Sequence, residues 1–170
     1  MSQLYASLFY QNEVTEIFSD RALLSYMIEA EVALAQAQAQ VGVIPESAAT
    51  AILNIAATAI DQIDFDALAI ATGLAGNIAI PFVKQLTAIV KQNDEDAARY
   101  VHWGATSQDI LDTACILQCR AAMTHVEALI HQCYRTALTQ AEQYRSQVMI
   151  GRTWLQQGLP ITLGHKFVRW

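Results

Sequence analysis

SQDILDTACILQCRAAMTHVEALIHQCYRTALTQAEQYRSQ, residues 107–147, contains no glycine and no proline, and its apolar side chains return every three or four positions. Ile110, Leu111, Ala114, Cys115, Leu117, Ala121, Val126, Leu129, Ile130, Cys133, Ala137 and Leu138 carry that series, a helical period held without a breaker. Forty helical residues extend about 60 Å, further than a globule of 170 residues is wide. Short helices cannot cover so long an apolar face, so the stretch predicts a rod that meets later segments or other chains.

The rod begins in a loop, Val101-His102-Trp103-Gly104-Ala105-Thr106-Ser107-Gln108-Asp109, that combines an imidazole, two hydroxyls, a glycine and a helix start. Thr106 and Ser107 stand where a helix offers unpaired N–H groups and the positive end of its dipole, a setting suited to a carboxylate. Thr106-x-x-Asp109 equally fits a capping box, in which both side chains only satisfy first-turn donors. A cap needs neither a titratable ring nor a glycine that permits close backbone approach, yet His102 and Gly104 supply both. On these residues alone the two readings stand side by side.

Upstream, Ser19-Asp20 precede a helix over 21–41 whose inner face is Leu24, Met27 or Ile28, Glu31 or Val32, and Ala35, closing at Gly42. Pro45 starts a second helix to about Ile60, and Asp64 caps a short one to Thr72. Gly73 and Gly76 bracket a loop running to Ile80, after which Pro81 opens a helix to about Gln92. Acidic residues 93–96 begin a short helix into Tyr100. Downstream, Val148-Met149-Ile150 reads as a short extended piece, and Pro160 with Thr162 precedes a helix from about Leu163. The fold class is all-α. Residues 1–106 form an N-terminal helical domain and residues 107–170 begin a long-helix bundle, incomplete at Trp170, so the chain reads as a fragment.

The chain is 54% hydrophobic and 15% charged, with a mean hydropathy of +0.24. Much of the apolar content is alanine and no uncharged run reaches 18 residues, which points to an oligomer rather than a membrane protein. A net charge of −6 with scattered basic residues excludes nucleic acid as a partner. Arg152, His165, Lys166 and Arg169 gather basic charge near the end of the sequence, as an acidic ligand requires. Residues 1–10 show neither the cationic start nor the cleavage site of a secretory leader, so the expected compartment is the cytoplasm. Cys115, Cys119 and Cys133 read as small buried packing residues in a reducing environment, and no zinc-type ligand spacing surrounds them.

Two motifs, His102-Trp103-Gly104-Ala105-Thr106-Ser107-Gln108-Asp109 and Gly151-Arg152-Thr153-Trp154-Leu155-Gln156 with Pro160-Ile161-Thr162-Leu163-Gly164-His165-Lys166, together resemble the fumarase/aspartase superfamily. Their order, the long helix between them and the Glu29-Ala30-Glu31-Val32-Ala33-Leu34-Ala35 helix ending in Gly42-Val43-Ile44-Pro45 extend the resemblance over essentially the whole chain. It implies a nearly all-helical subunit whose long helices assemble a homotetramer, with active sites at subunit junctions, a small carboxylate substrate, no cofactor and no metal. Adenylosuccinate- and argininosuccinate-type lyases carry a histidine after Gly-Arg-Thr, where this chain has Trp154. The tryptophan form resembles the superfamily's lactone-forming cycloisomerases, intramolecular lyases of protocatechuate breakdown that act on a tricarboxylate. The succinyl-adduct lyases are the alternative. A third reading, of another class, is a non-catalytic helical assembly module, because the superfamily's Gly-Ser-Ser loop with its basic serine has no match in these 170 residues. On that ground the chain alone is expected to be inactive.

The resemblance implies a catalytic set of His102, Thr106 and Ser107 and a substrate-binding set of Arg152, Thr153, Trp154 and Gln156. Thr106 and Ser107 would hold one carboxylate, while His102 donates to a second or merely orders its turn. An indole N–H donates but does not titrate, so Trp154 either walls the pocket or packs at the base of its loop. Arg152 either grips a carboxylate bidentately or braces backbone. Thr153 and Gln156 are polar contacts. His165 and Lys166 read as solvated groups or as partners of intersubunit ion pairs near a helix start, and His125 and His131 as surface or interface residues.

Overall fold

The computed structural model describes Leu8 and residues 12–170; the reading of residues 1–10 as leader-free lies, Leu8 apart, outside the described residues. Two compact units divide the chain, Met1–Ala122 and Met123–Trp170. No helix among the described residues is long and apolar enough to cross a membrane.

Every regular element described in the first unit is helical. Helices α1 (Asn12–Ile17), α2 (Asp20–Gln40), α3 (Glu46–Ala59), α4 (Phe65–Ala75) and α5 (Ala79–Asn93) are followed by a 3-10 turn at Ala97–Tyr100 and by α6 (Ser107–Gln143). Side-chain caps fix three of the starts: Ser19 accepts from the Ala22 N–H, Asp64 from Ala67, and Asp94 from Ala97. At the end of α2 the Val43 N–H reaches the Gln38 carbonyl and the Gly42 N–H that of Ala39, the paired bonds of a Schellman motif. Helix α2 packs on α3, α5 packs on α3 and α4, and the 3-10 turn rests on α3 and α5. Phe82, Leu24, Met27, Leu86 and Val90 are the largest apolar side chains fully inside. Ile110 and Ala114 bring the first turns of α6 onto the same core, and one turn on the Gln118 side chain donates to the Ile17 carbonyl at 2.8 Å.

Two boundaries differ from expectation. Helix α4 runs through Gly73 to a left-handed end at Gly76, because one glycine inside a helix costs only about 1 kcal/mol against alanine. Helix α5 begins at Ala79, two residues before Pro81, with the Asn77 side chain accepting from the Ala79 N–H at 2.8 Å. A proline in the first turn forfeits no helical bond, since that N–H has no partner in any case.

The second unit holds the end of α6, a β-hairpin and a last short helix. Helix α6 stops at Gln143, four residues short of the expected end, and strands β1 (Val148–Thr153) and β2 (Gln156–Thr162) pair antiparallel before α7 (Leu163–Val168). The extended piece expected at Val148 to Ile150 is the first half of β1, and the hairpin carries extended structure beyond it. Its register runs from Val148 opposite Thr162 to Thr153 opposite Gln156, with an irregularity between Ile150 and Arg152. Trp154 and Leu155 make the two-residue turn with φ of 51° and 64°, the left-handed pair that matches strand twist but normally selects Asn-Gly. Helix α7 is capped by Thr162, which accepts from the His165 N–H at 3.1 Å. It lies so close to the end of α6 that a Cβ on Gly164 would sit 2.8 Å from the Arg145 Cα and 2.9 Å from the Tyr144 carbonyl oxygen.

The three cysteines are exposed and unpaired rather than buried as expected. Cys115 and Cys119, one turn apart, lie off the stripe that Ile110, Ala114 and Gln118 turn inward.

Candidate functional site

Helix α2 carries its buried face at Leu24, Met27, Ile28, Glu31 and Ala35, so a carboxyl occupies a position that packing alone would give to an apolar side chain. The Glu31 side chain is 1% exposed, and its Oε1 lies 2.6 Å from Nδ1 of His102, whose own side chain is 17% exposed. Burial raises the Glu31 carboxyl above its ordinary value of 4.5, and the hydrogen bond and charge of His102 offset only part of that effect. Its second oxygen, Oε2, is buried without a hydrogen-bond partner. Two turns along the same helix, Gln38 donates its side-chain N–H to the Trp103 carbonyl at 2.6 Å. Neither Glu31 nor Gln38 stood among the expected site residues, although a carboxylate inside an apolar stripe was the available signal.

The loop they hold is tightly turned. His102 has a φ of 59° and Gly104 a φ of 69°, and the left-handed region costs an L side chain about 1–3 kcal/mol. A Cβ on Gly104 would meet nothing within 4 Å, so within this chain it is the dihedral that calls for glycine. The Trp103 ring leans on Tyr100 with centroids 5.7 Å apart.

At the start of α6 the Thr106 N–H donates to Asp109 Oδ2 at 3.0 Å, and the Asp109 N–H donates to the Thr106 carbonyl at 3.1 Å. The acidic half of the capping box is formed. The hydroxyls of Thr106 and Ser107 take no part in it and have no hydrogen-bond partner among the described residues. A helix start thus presents two uncommitted hydroxyls beside its first-turn N–H groups.

The remaining candidates lie in the second unit. Arg152 and Thr153 line a groove together with His165, Lys166 and Arg169. Among the described residues Arg152 makes no ion pair, and neither do His165 and Lys166. Their cationic and imidazole groups face one groove on strand β1 and helix α7, where no carboxylate is close enough to pair with them. Trp154 is 95% exposed at the hairpin tip, as is Leu155, which excludes packing at the base of the loop. Gln156 opens β2 opposite Thr153 and is also exposed. On α6, His125 is half-buried and His131 is exposed, 3.8 Å from Glu127.

The family described as Lyase matches residues 10–170. The chain is 81% identical over 170 residues to the 3-carboxy-cis,cis-muconate cycloisomerase of Acinetobacter baylyi, an alignment covering 100% of this chain and 38% of that protein. A crystal structure of β-carboxy-cis,cis-muconate cycloisomerase from Acinetobacter calcoaceticus superposes with a TM-score of 0.95 at 81% identity, covering 99% of this chain and 39% of that one. A fumarate lyase from Mesorhizobium superposes with a TM-score of 0.86 at 38% identity, over 94% and 36% of the two chains. The fold is that of the fumarase/aspartase-type lyases. The chain spans about 38% of the length of the Acinetobacter baylyi relative.

Proposed function

Because this chain belongs to the lyase family that matches residues 10–170, we propose that it supplies part of an enzyme interconverting 3-carboxy-cis,cis-muconate and 4-carboxymuconolactone. The observation that carries this reading is the 81% identity over all 170 residues to a cycloisomerase of that name. Trp154 agrees with it, since an indole cannot perform the proton transfer of the histidine that succinyl-adduct lyases carry at that place.

In this reaction one carboxylate oxygen bonds to an internal alkene carbon, and the displaced electron pair takes a proton at the carbon beside another carboxylate. Nothing leaves and nothing is oxidised. The substrate's carboxylates need directional donors, and negative charge grows on the carboxylate next to the protonated carbon. Thr106 and Ser107, with the N–H groups at the start of α6, bind one carboxylate; their unpartnered hydroxyls support the assignment. His102 serves a second carboxylate as hydrogen-bond or proton donor. Arg152 offers a bidentate grip, supported by its lack of an ion pair and by the cationic groove it shares with Lys166 and Arg169. Trp154 shapes the pocket and donates its indole N–H, while Thr153 and Gln156 supply polar contacts.

Residues 1–106 act as the N-terminal domain and residues 107–170 as the first part of the helical bundle. The enzyme works as a homotetramer in the cytoplasm, in the degradation of protocatechuate. Exposed apolar side chains on α6 support the assembly, and three exposed, unpaired thiols fit a reducing compartment.

The test is a chimera in which this chain replaces the matching segment of the Acinetobacter baylyi protein, assayed by the loss of diene absorbance. Lactone formation is expected. A folded chimera that leaves 3-carboxy-cis,cis-muconate untouched and cleaves adenylosuccinate or argininosuccinate overturns the reading.

A further inference from the structure

Among the described residues Glu31 is the only charged side chain in the buried core. A carboxylate withdrawn from water is unfavourable unless paired, and the polar contact Glu31 makes is to His102, 71 residues along the chain. His102 is held in a left-handed conformation that the next residue secures, because the Trp103 carbonyl accepts from Gln38. Helix α2 therefore grips this loop twice from one face, through the ring at Glu31 and through the backbone seven residues later at Gln38. The backbone grip acts on the turn itself. A buried carboxylate adds something a turn does not need, namely a choice between the two ring nitrogens.

An ionised carboxylate only accepts hydrogen bonds, so at 2.6 Å it selects the ring form with the proton on Nδ1. We propose that Glu31 is the positioning residue for His102: by accepting from Nδ1–H it fixes the tautomer and orientation of the ring and leaves Nε2 as the nitrogen that gains and gives up a proton toward a substrate carboxylate. This rests on the role proposed above for His102. The relation is that of a buried acid orienting a working imidazole through its far nitrogen. A glutamine amide at position 31 can still accept through its oxygen but carries no charge, which separates orientation from electrostatics.

The ring tautomer can be read without any turnover. The chain is labelled with 15N in its histidine rings, and His102 is assigned by the signals lost in His102→Gln. At pH 8 the expected result is a ring protonated on Nδ1 in the wild type and in Glu31→Gln. In Glu31→Ala the majority shifts to the Nε2-protonated form that free imidazole side chains favour in water. Should the alanine variant lose its helical circular dichroism, Glu31→Leu, which refills the buried volume without an acceptor, carries the comparison. A wild-type ring protonated on Nε2 overturns the proposal, as does a tautomer that is the same in the wild type and in the folded non-acceptor variant. Within the chimera, Glu31→Leu is expected to lower kcat about tenfold or more with little change in KM; an unchanged kcat overturns the positioning role. The expected tautomers together with an inactive parent chimera fault the lactonisation reading and leave Glu31 as assigned.

Discussion

At position 31 a carboxyl stands where the packing of α2 asks for an apolar group, and its surroundings decide how the chain responds to pH. Burial outweighs the attraction of His102, the titratable group acting on it, so the folded-state value lies above 4.5. A carboxyl with a raised folded value binds its proton more tightly in the folded chain than in the unfolded one. Its contribution to stability is fully present below the unfolded value and is lost as pH rises through the folded one. Glu31→Gln removes that contribution. Urea unfolding between pH 4 and pH 7 is therefore expected to show the wild type losing ground to Glu31→Gln as pH increases, and parallel midpoints would refute the linkage. Trp154 is the opposite case, an apolar ring 95% exposed in a left-handed turn. Strain and exposure together at one residue are costs that packing does not repay. The residue types at 102, 106, 107 and 154 were legible as candidates for a site before any fold was known. Glu31 was visible only as one position in a helical stripe, since nothing local marks a partner 71 residues away.

The helices follow local chemistry closely. Caps at Ser19, Asp64 and Asp94, the Schellman closure at Gly42 and the unbroken period from Ser107 onward are written within a few residues of the ends they define. The hairpin does not follow it. Glycines at 151 and 158 and Pro160 interrupt any alternation of strand residues, and Trp154-Leu155 carries none of the chemistry that a two-residue turn prefers. Helix α7, six residues long, is too short to form by propensity and is held against the end of α6. The Leu163 N–H donates to the Gln147 carbonyl at 2.8 Å, and Phe167 stacks on Tyr144 with centroids 6.3 Å apart. Gly164 is the contact that permits this approach, and the atoms a methyl group would strike are backbone, which cannot swing aside. Gly164→Ala is expected to cost about 2 kcal/mol, read from the shift of the thermal or urea midpoint. An unchanged midpoint would mean that α7 can lift away without loss.

For the whole molecule the decisive surface is the one α6 leaves open. Met123, Val126, Ile130 and Tyr134 recur three or four positions apart and are all exposed, Met123 and Ile130 at 63% and 61%. That spacing is the one along which coiled-coil helices meet. If copies of the chain meet along it, Ile130→Glu buries a charge at each contact and is expected to shift the chain to monomer in light scattering at concentrations where the wild type self-associates. A wild type that stays monomeric, or a variant that associates equally well, would place the assembly surface elsewhere. Sequence alone determined the helices, the long rod, the two motifs and the lyase resemblance, because capping, periodicity and motif identity are carried by neighbouring residues. Tertiary structure alone decided that Glu31 holds His102, that the second motif is a hairpin with Trp154 at its tip, and that Arg152 has no ion-pair partner among the described residues of its cationic groove. Each of those depends on groups far apart in the chain being brought together or kept apart, which only the folded backbone determines.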